Sequence, residues 1–198
     1  MYHQLLAQEG YIVFTIDPRG TMYRGAEFKK STYLELGKLE IEDIINAAIK
    51  LKEYSWVDSD RIGIMGWSYG GFMASLAITK GADVFKTAIA VAPVTNWRYY
   101  DNIYTERFMR TPQENESGYD ENSPINHVDK MKGNYLLIHG SADDNVHYQN
   151  TMEMINAMVE ADKQFDLFIY PNKNHGIYGG NTRNHLFNMM LNYIKENL

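Results

Sequence analysis

Cysteine is missing altogether from the 198 residues, which excludes disulfide staples, zinc–thiolate sites and thiol nucleophiles. Long apolar runs are missing too, and no stretch approaches the roughly 20 residues that a membrane-spanning helix needs. Behind Met1-Tyr2-His3 there is neither the basic region nor the apolar stretch of a signal peptide. Cations are in the minority, with 19 Lys and Arg against 25 Asp and Glu for a formal charge of -6. They are also scattered, apart from the short Lys29-Lys30 pair. Nucleic acid, whose phosphates call for clustered cations, is disfavoured as a partner. No H-E-x-x-H or comparable ligand spacing occurs, so no metal is expected.

What is present is an alternation of short apolar runs with amphipathic stretches, the pattern of a mostly parallel sheet with helices on both faces. The length suits one domain over residues 1–198. Residues 3–9 read as the end of a helix closed by Gly10, and Tyr11 to Ile16 (YIVFTI) as a buried strand broken by Asp17-Pro18-Arg19-Gly20. Leu34 to Tyr54 carries apolar residues at three- and four-residue spacing and reads as a helix. Further strands are expected over residues 61–65, 87–92, 135–139 and 165–170, and helices over 69–80, 147–161 and 182–198. That makes five strands. Between the third strand and the fourth runs a polar and aromatic insertion, residues 94–132, with weak periodicity. A connection of that length is functional or carries small helices of its own.

The chemistry-bearing signal is Gly66-Trp67-Ser68-Tyr69-Gly70-Gly71, a match to G-x-S-x-G. An apolar strand runs straight into it and a small-residue helix straight out, which is the context the motif requires. A serine on so tight a turn projects its hydroxyl above the sheet edge. Glycines two residues to either side are expected there to remove Cβ atoms that would clash with the neighbouring strand and helix. This makes Ser68 the candidate nucleophile of an α/β-hydrolase fold. Serine needs a base, and the base needs a carboxylate to orient it. In this fold the order along the chain is Ser, acid, His, with the partners in loops after later strands. The loop after the fourth strand offers Asp143 and Asp144, between which spacing does not choose. The loop after the last strand offers His175. Of the other histidines, His3 precedes the motifs, His127 lies in the insertion, His139 sits on a strand as a core residue, His147 begins a helix and His185 lies within one.

Together these motifs resemble the prolyl oligopeptidase family of serine peptidases, most closely its dipeptidyl peptidase IV branch. The likeness runs through Asp17-Pro18-Arg19-Gly20, Gly66 to Gly71, Ala92-Pro93-Val94, Trp97-Arg98-Tyr99-Tyr100-Asp101, Tyr104-Thr105-Glu106-Arg107, His139 to Val146 and His175-Gly176-Ile177. It implies Ser68 as nucleophile, Asp143 as triad acid and His175 as base. It also implies the backbone N–H of Tyr69 as one oxyanion donor. Tyr100 and Tyr104 would wall a small aromatic pocket for proline or alanine, with Val94, Trp97 and Val146 nearby. Asn145 would bond a carbonyl of the peptide substrate. No cofactor is implied.

The family pattern also includes parts that this sequence does not contain. A second oxyanion donor, a tyrosine hydroxyl in a Y-G-G-P-like loop, lies upstream in the family. So does an N-terminal β-propeller, which in the dipeptidyl peptidases holds the substrate's free amino terminus. The resemblance therefore implies a catalytic-domain fragment whose first strands are missing, with an open sheet edge beside Tyr11 to Ile16. It further implies a homodimer and a secreted, periplasmic or membrane-anchored parent. The same fold also carries esterases, acylaminoacyl peptidases and non-catalytic modules.

Overall fold

The computed structural model describes residues 2–198, and the alternation of apolar runs and amphipathic stretches is realised in it as a parallel sheet between two helical layers. Four strands, β1 (Gly63–Trp67), β2 (Thr87–Val91), β3 (Asn134–Gly140) and β4 (Asp166–Tyr170), pair in that spatial order, each parallel to the next. The helices are α1 (Tyr2–Gln8), α2 (Ala26–Lys30), α3 (Lys38–Leu51), α4 (Tyr69–Lys80), α5 (Asn102–Met109), α6 (Glu116–Glu121), α7 (Gln149–Glu160) and α8 (Thr182–Asn197).

Period-two alternation decides which side chain meets which layer. Ala88 and Ala90 of β2, with Tyr135 and Leu137 of β3, face Ala74 and Ile78 of α4 and Met154 and Met158 of α7. Ile89, Val91, Leu136 and Ile138 face the opposite way, against Leu6 of α1 and Leu186, Met190 and Ile194 of α8. With both faces covered, β2 is buried at every position, which is why its sequence is a continuous apolar run rather than an alternating one. Helix α4 is buried without a break from Gly71 to Thr79, because α3 covers its outer side through Ile41, Ile44 and Ala48. The two helices meet closely at Gly37, whose φ is +98° and where a Cβ would stand 2.5 Å from the Phe72 ring.

Tyr11 to Ile16 does not form the expected strand. The segment is extended and alternates like one, with Tyr11 and Val13 on the core and Ile12 and Phe14 62% and 57% exposed. A β-prone run becomes a strand only where a neighbour supplies backbone partners, and among the described residues none pairs with it. The paired sheet therefore has four strands where five were expected. The turn that follows is firmly held. Arg19 donates from Nε and Nη2 to the Asp43 carboxylate on α3 at 2.9 and 2.7 Å, and its backbone N–H donates there at 2.8 Å. Helix α3 starts at Lys38 rather than Leu34. Leu34 takes a φ of +70° and donates its N–H to Phe108 O at 2.8 Å, so that turn serves the insertion instead.

The insertion has small helices of its own: α5, α6 and two 3-10 helices, Trp97–Tyr99 and Pro124–Lys130. Buried polar contacts sew it to the core. Ser123 Oγ donates to Thr95 O at 2.6 Å, and Thr95 N–H donates to Asn150 Oδ1 of α7 at 2.9 Å.

The register yields a contrast between neighbours. Leu137 is fully buried and Leu167, its pairing partner on β4, is 41% exposed. Leu137→Ala should cost about 2–5 kcal/mol of unfolding free energy, and Leu167→Ala well under half of that. Urea denaturation of the two variants measures the difference, and equal losses would refute the assigned burial of these two positions.

Candidate active site

Because all four strands run parallel, the loops after β1, β2, β3 and β4 all leave from one edge of the sheet. That edge is where sites in open α/β sheets gather. Ser68 lies between β1 and α4 with φ 59° and ψ -117°. Such a backbone costs a non-glycine residue about 1–3 kcal/mol and persists only when its surroundings hold it. Here Ser68 N–H donates to Val91 O of β2 at 2.8 Å, and Ser68 O accepts from Phe72 N–H at 2.9 Å. The expected role of the flanking glycines holds in part. A Cβ on Gly66 would lie 2.1 Å from Gly70 O, and one on Gly71 2.9 Å from Val91 O, whereas one on Gly70 would meet nothing within 4 Å. The turn is so tight that Gly66 abuts the backbone of Gly70 itself, and it is the second glycine of the Gly70-Gly71 pair that clears the neighbouring strand.

Tyr69 opens α4, so its backbone N–H is among the donors a helix leaves without internal partners. Its side chain turns the other way. The hydroxyl donates to Glu40 Oε1 of α3 at 2.6 Å, and Glu40 Oε2 accepts from Gly37 N–H at 3.0 Å. Burial raises the Glu40 carboxyl above its ordinary range, against the pull of these two donors.

The choice between the two aspartates is made by geometry. Asp143 Oδ2 lies 2.7 Å from His175 Nδ1, whereas Asp144 is exposed on the other side of the loop. Asp143 Oδ1 accepts from the backbone N–H groups of Asn145 and Val146, both at 3.0 Å. Burial opposes ionisation of this carboxyl. The His139 ring standing beside it, with the bonds from His175 and the Asn145 backbone, outweighs burial and holds Asp143 well below the usual carboxylate range. His175 sits in the loop after β4, and Ile177, fully buried, anchors that loop in the core. With Nδ1 on Asp143, the other ring nitrogen of His175 faces away from the acid. No bond from Ser68 Oγ to that nitrogen is among those formed by the described residues. The loops are joined instead by Trp67, whose Nε1–H donates to the His175 carbonyl at 3.0 Å. Arg183 lies 5.3 Å over the Trp67 ring and donates to Ile177 O at 3.2 Å, which braces the same junction.

Beside this edge stands an aromatic cluster. Tyr100 and Tyr104 meet edge to face at 5.3 Å, and Trp97 contacts both, each at 5.8 Å. The Tyr69 ring joins Trp97 at 5.5 Å. Val94, Trp97 and Val146 are at most 2% exposed, so they back the tyrosine rings from within rather than line open surface. Tyr100 OH donates to Asn145 Oδ1 at 2.7 Å, which leaves the Asn145 amide N–H groups free. An open depression of about 470 Å³ adjoins these two residues and is also lined by Asp101, Asp144 and His147.

Sequence reading missed three contributors: Trp67, Glu40 and the contact of His139 with the acid. Trp67 was within reach as the x of G-x-S-x-G, but nothing in the pattern says that its ring reaches the histidine loop. Glu40 has the spacing of an ordinary exposed helix residue and carries no local mark of burial.

Comparison with known proteins bears on the whole chain. The prolyl oligopeptidase family model matches residues 1–198. Prolyl endopeptidase FAP of Mus musculus is 42% identical over 195 residues, 97% of this chain and 26% of that protein. Venom dipeptidyl peptidase 4 of Apis mellifera is 46% identical over 188 residues, 92% of this chain and 24% of that protein. The crystal structure of Porphyromonas gingivalis dipeptidyl peptidase 4 superposes with a TM-score of 0.98 at 50% identity, covering 100% of this chain and 28% of that one. The chain thus spans about a quarter of the length of the relatives it matches, and the expected α/β-hydrolase fold class holds.

The lowered Asp143 carboxyl has a thermodynamic consequence. A carboxyl that ionises more readily when folded stabilises the fold above the ordinary carboxylate range, and that contribution is lost as the pH falls below it. Asp143→Asn should therefore lower the unfolding free energy by about 1–3 kcal/mol at neutral pH. The gap to the parent should start to narrow as the pH falls below about 4 and keep narrowing further into acid, until the folded carboxyl itself protonates. Chemical denaturation across pH tests this, and a gap that stays constant into acid would refute it.

Proposed function

The chain belongs to the prolyl oligopeptidase family, and from that premise we propose that it is the catalytic part of a serine peptidase that cleaves after proline or alanine. Ser68 is the nucleophile, His175 the base and Asp143 the acid. The observation that carries the reading is the 2.7 Å bond between Asp143 Oδ2 and His175 Nδ1, formed at the sheet edge where Ser68 holds its strained turn.

In this reading Asp143 stays anionic, fixes the tautomer that carries hydrogen on Nδ1 and stabilises the imidazolium that forms. His175 Nε2 takes the Ser68 proton as Oγ attacks the scissile carbonyl. The Tyr69 backbone N–H bonds the developing oxyanion, a contribution typically worth about 2.7–4 kcal/mol per donor. His175 then gives the proton to the leaving amine, and water attacks the acyl-enzyme with His175 again as base. Tyr100 and Tyr104, backed by Val94, Trp97 and Val146, take the flat ring of proline or the methyl of alanine. The free Asn145 amide donates to a substrate carbonyl, and the bond from Tyr100 OH orients it for that role. The residue specificity and the removal of dipeptides extend from relatives named dipeptidyl peptidase 4 and prolyl endopeptidase, and the second oxyanion donor from the family resemblance. By the resemblance, a propeller would hold the substrate's free amino terminus.

In the full-length natural polypeptide that carries this chain, a fluorophosphonate probe should label the parent and leave Ser68→Ala unlabelled. The parent should turn over a Gly-Pro anilide in preference to a simple acyl ester. Faster ester turnover would move the assignment to an esterase, and absence of Ser68 labelling would remove the catalytic reading.

A further inference from the structure

Asp143 has two imidazole neighbours, of which the mechanism above uses only His175. We propose that His139 is a positioning residue for the triad acid: held in one tautomer by Thr151 and the Val146 carbonyl, it sets the positive edge of its ring beside Asp143 Oδ2 and so fixes the oxygen that orients His175. The proposal rests on the catalytic reading of Asp143 and His175.

The argument begins with what a buried carboxylate requires. An ionised Asp has about four acceptor sites and no donors, so each site left empty in the interior carries a desolvation cost. Oδ1 is filled by the backbone N–H groups of Asn145 and Val146. Oδ2 receives His175 Nδ1 at 2.7 Å and faces His139 Nε2 at 3.2 Å. The side chains of His139 and Asp143 are both fully buried, so water cannot stand in for either partner.

The surroundings of the His139 ring fix its tautomer. Nε2 lies 2.9 Å from Val146 O, a carbonyl that can only accept, so this nitrogen carries hydrogen. That hydrogen points to the carbonyl with Oδ2 alongside, where the positive end of the N–H dipole meets the anion. Nδ1 then accepts from Thr151 Oγ1 on α7 at 2.7 Å. Tyr148 closes the ring in from the side, edge to face at 5.7 Å. His139 therefore ties the acid's loop at two points. It faces the carboxylate directly, and it holds the carbonyl of Val146, the residue whose N–H is already on Oδ1. Both anchors come from rigid elements, β3 and α7, whereas Asp143 itself sits in a loop. A histidine serving only as core filling would need none of these polar contacts to converge on the acid.

The test uses the full-length natural polypeptide and the variants His139→Phe and Thr151→Val, the second nearly isosteric. The primary readout is the low-field proton resonance of His175 Nδ1–H, assigned by its loss in His175→Gln. It reports the bond to Asp143 whether or not the protein turns over substrate. His139→Phe should move or broaden this resonance and lower kcat on a Gly-Pro anilide by about ten- to a hundredfold with KM little changed, the scale of taking one polar partner from a buried charged group. Thr151→Val should act in the same direction and less. A resonance at the parent position in both variants, with kcat within about twofold, would overturn the proposal. Should His139→Phe fail to fold, the Thr151→Val resonance decides alone, a shift supporting the proposal and an unmoved line overturning it. If the parent shows neither turnover nor Ser68 labelling, the peptidase reading fails, while the resonance still decides whether His139 sets the Asp143–His175 pair.

Discussion

Asp143 is an anion kept inside the protein by converging N–H groups: two from its own loop, one from the loop after β4, and the ring of His139 on β3 standing against it. Each donor alone would fall short of offsetting the loss of water around a buried carboxylate. Together they make ionisation easier than in solution, and in doing so they fix the end of β3 and its loop against the distant loop after β4. The site's geometry follows from this more than from any feature of Ser68. The loop after β3 cannot shift without stranding the charge, and His175 cannot leave without giving up its strongest partner.

The parallel sheet makes that convergence cheap. Four strands running the same way deliver four connections to one edge, and the longest of them, after β2, brings the aromatic cluster to the same place. Chain continuity then does what long-range recognition would otherwise have to do. The turn at Ser68 shows the same economy. Its strain is borne by bonds to β2 and within α4, elements whose burial stabilises the fold in any case.

Much of this was legible in the sequence, for reasons that differ from residue to residue. The strands that became β1 to β4 are covered on both sides or packed on one, so their apolar runs speak clearly. Tyr11 to Ile16 has an equally clear run and forms no ladder, because composition encodes the propensity to pair and not the presence of a partner. Ser68 and His175 could be picked out by loop position, since a strand-to-helix turn and a short loop after the last strand are local patterns. Asp143 and Asp144 could not be separated by spacing alone, because neighbours in a loop differ only in which way the backbone turns. His139 was read as a satisfied core residue, which it is. That its satisfaction is tied to the acid depends on Thr151 and Val146 meeting it in three dimensions, and no periodicity records that.

The bond from the Trp67 indole to the His175 carbonyl has a mechanical meaning. It joins the main chain of the His175 loop to the last residue of the strand that leads into Ser68. Ile177 seats the same loop in the core, and Arg183 clasps it from α8. With its backbone tethered at both sides, the loop cannot swing as a gate, and the freedom left to His175 is rotation about its own side-chain bonds.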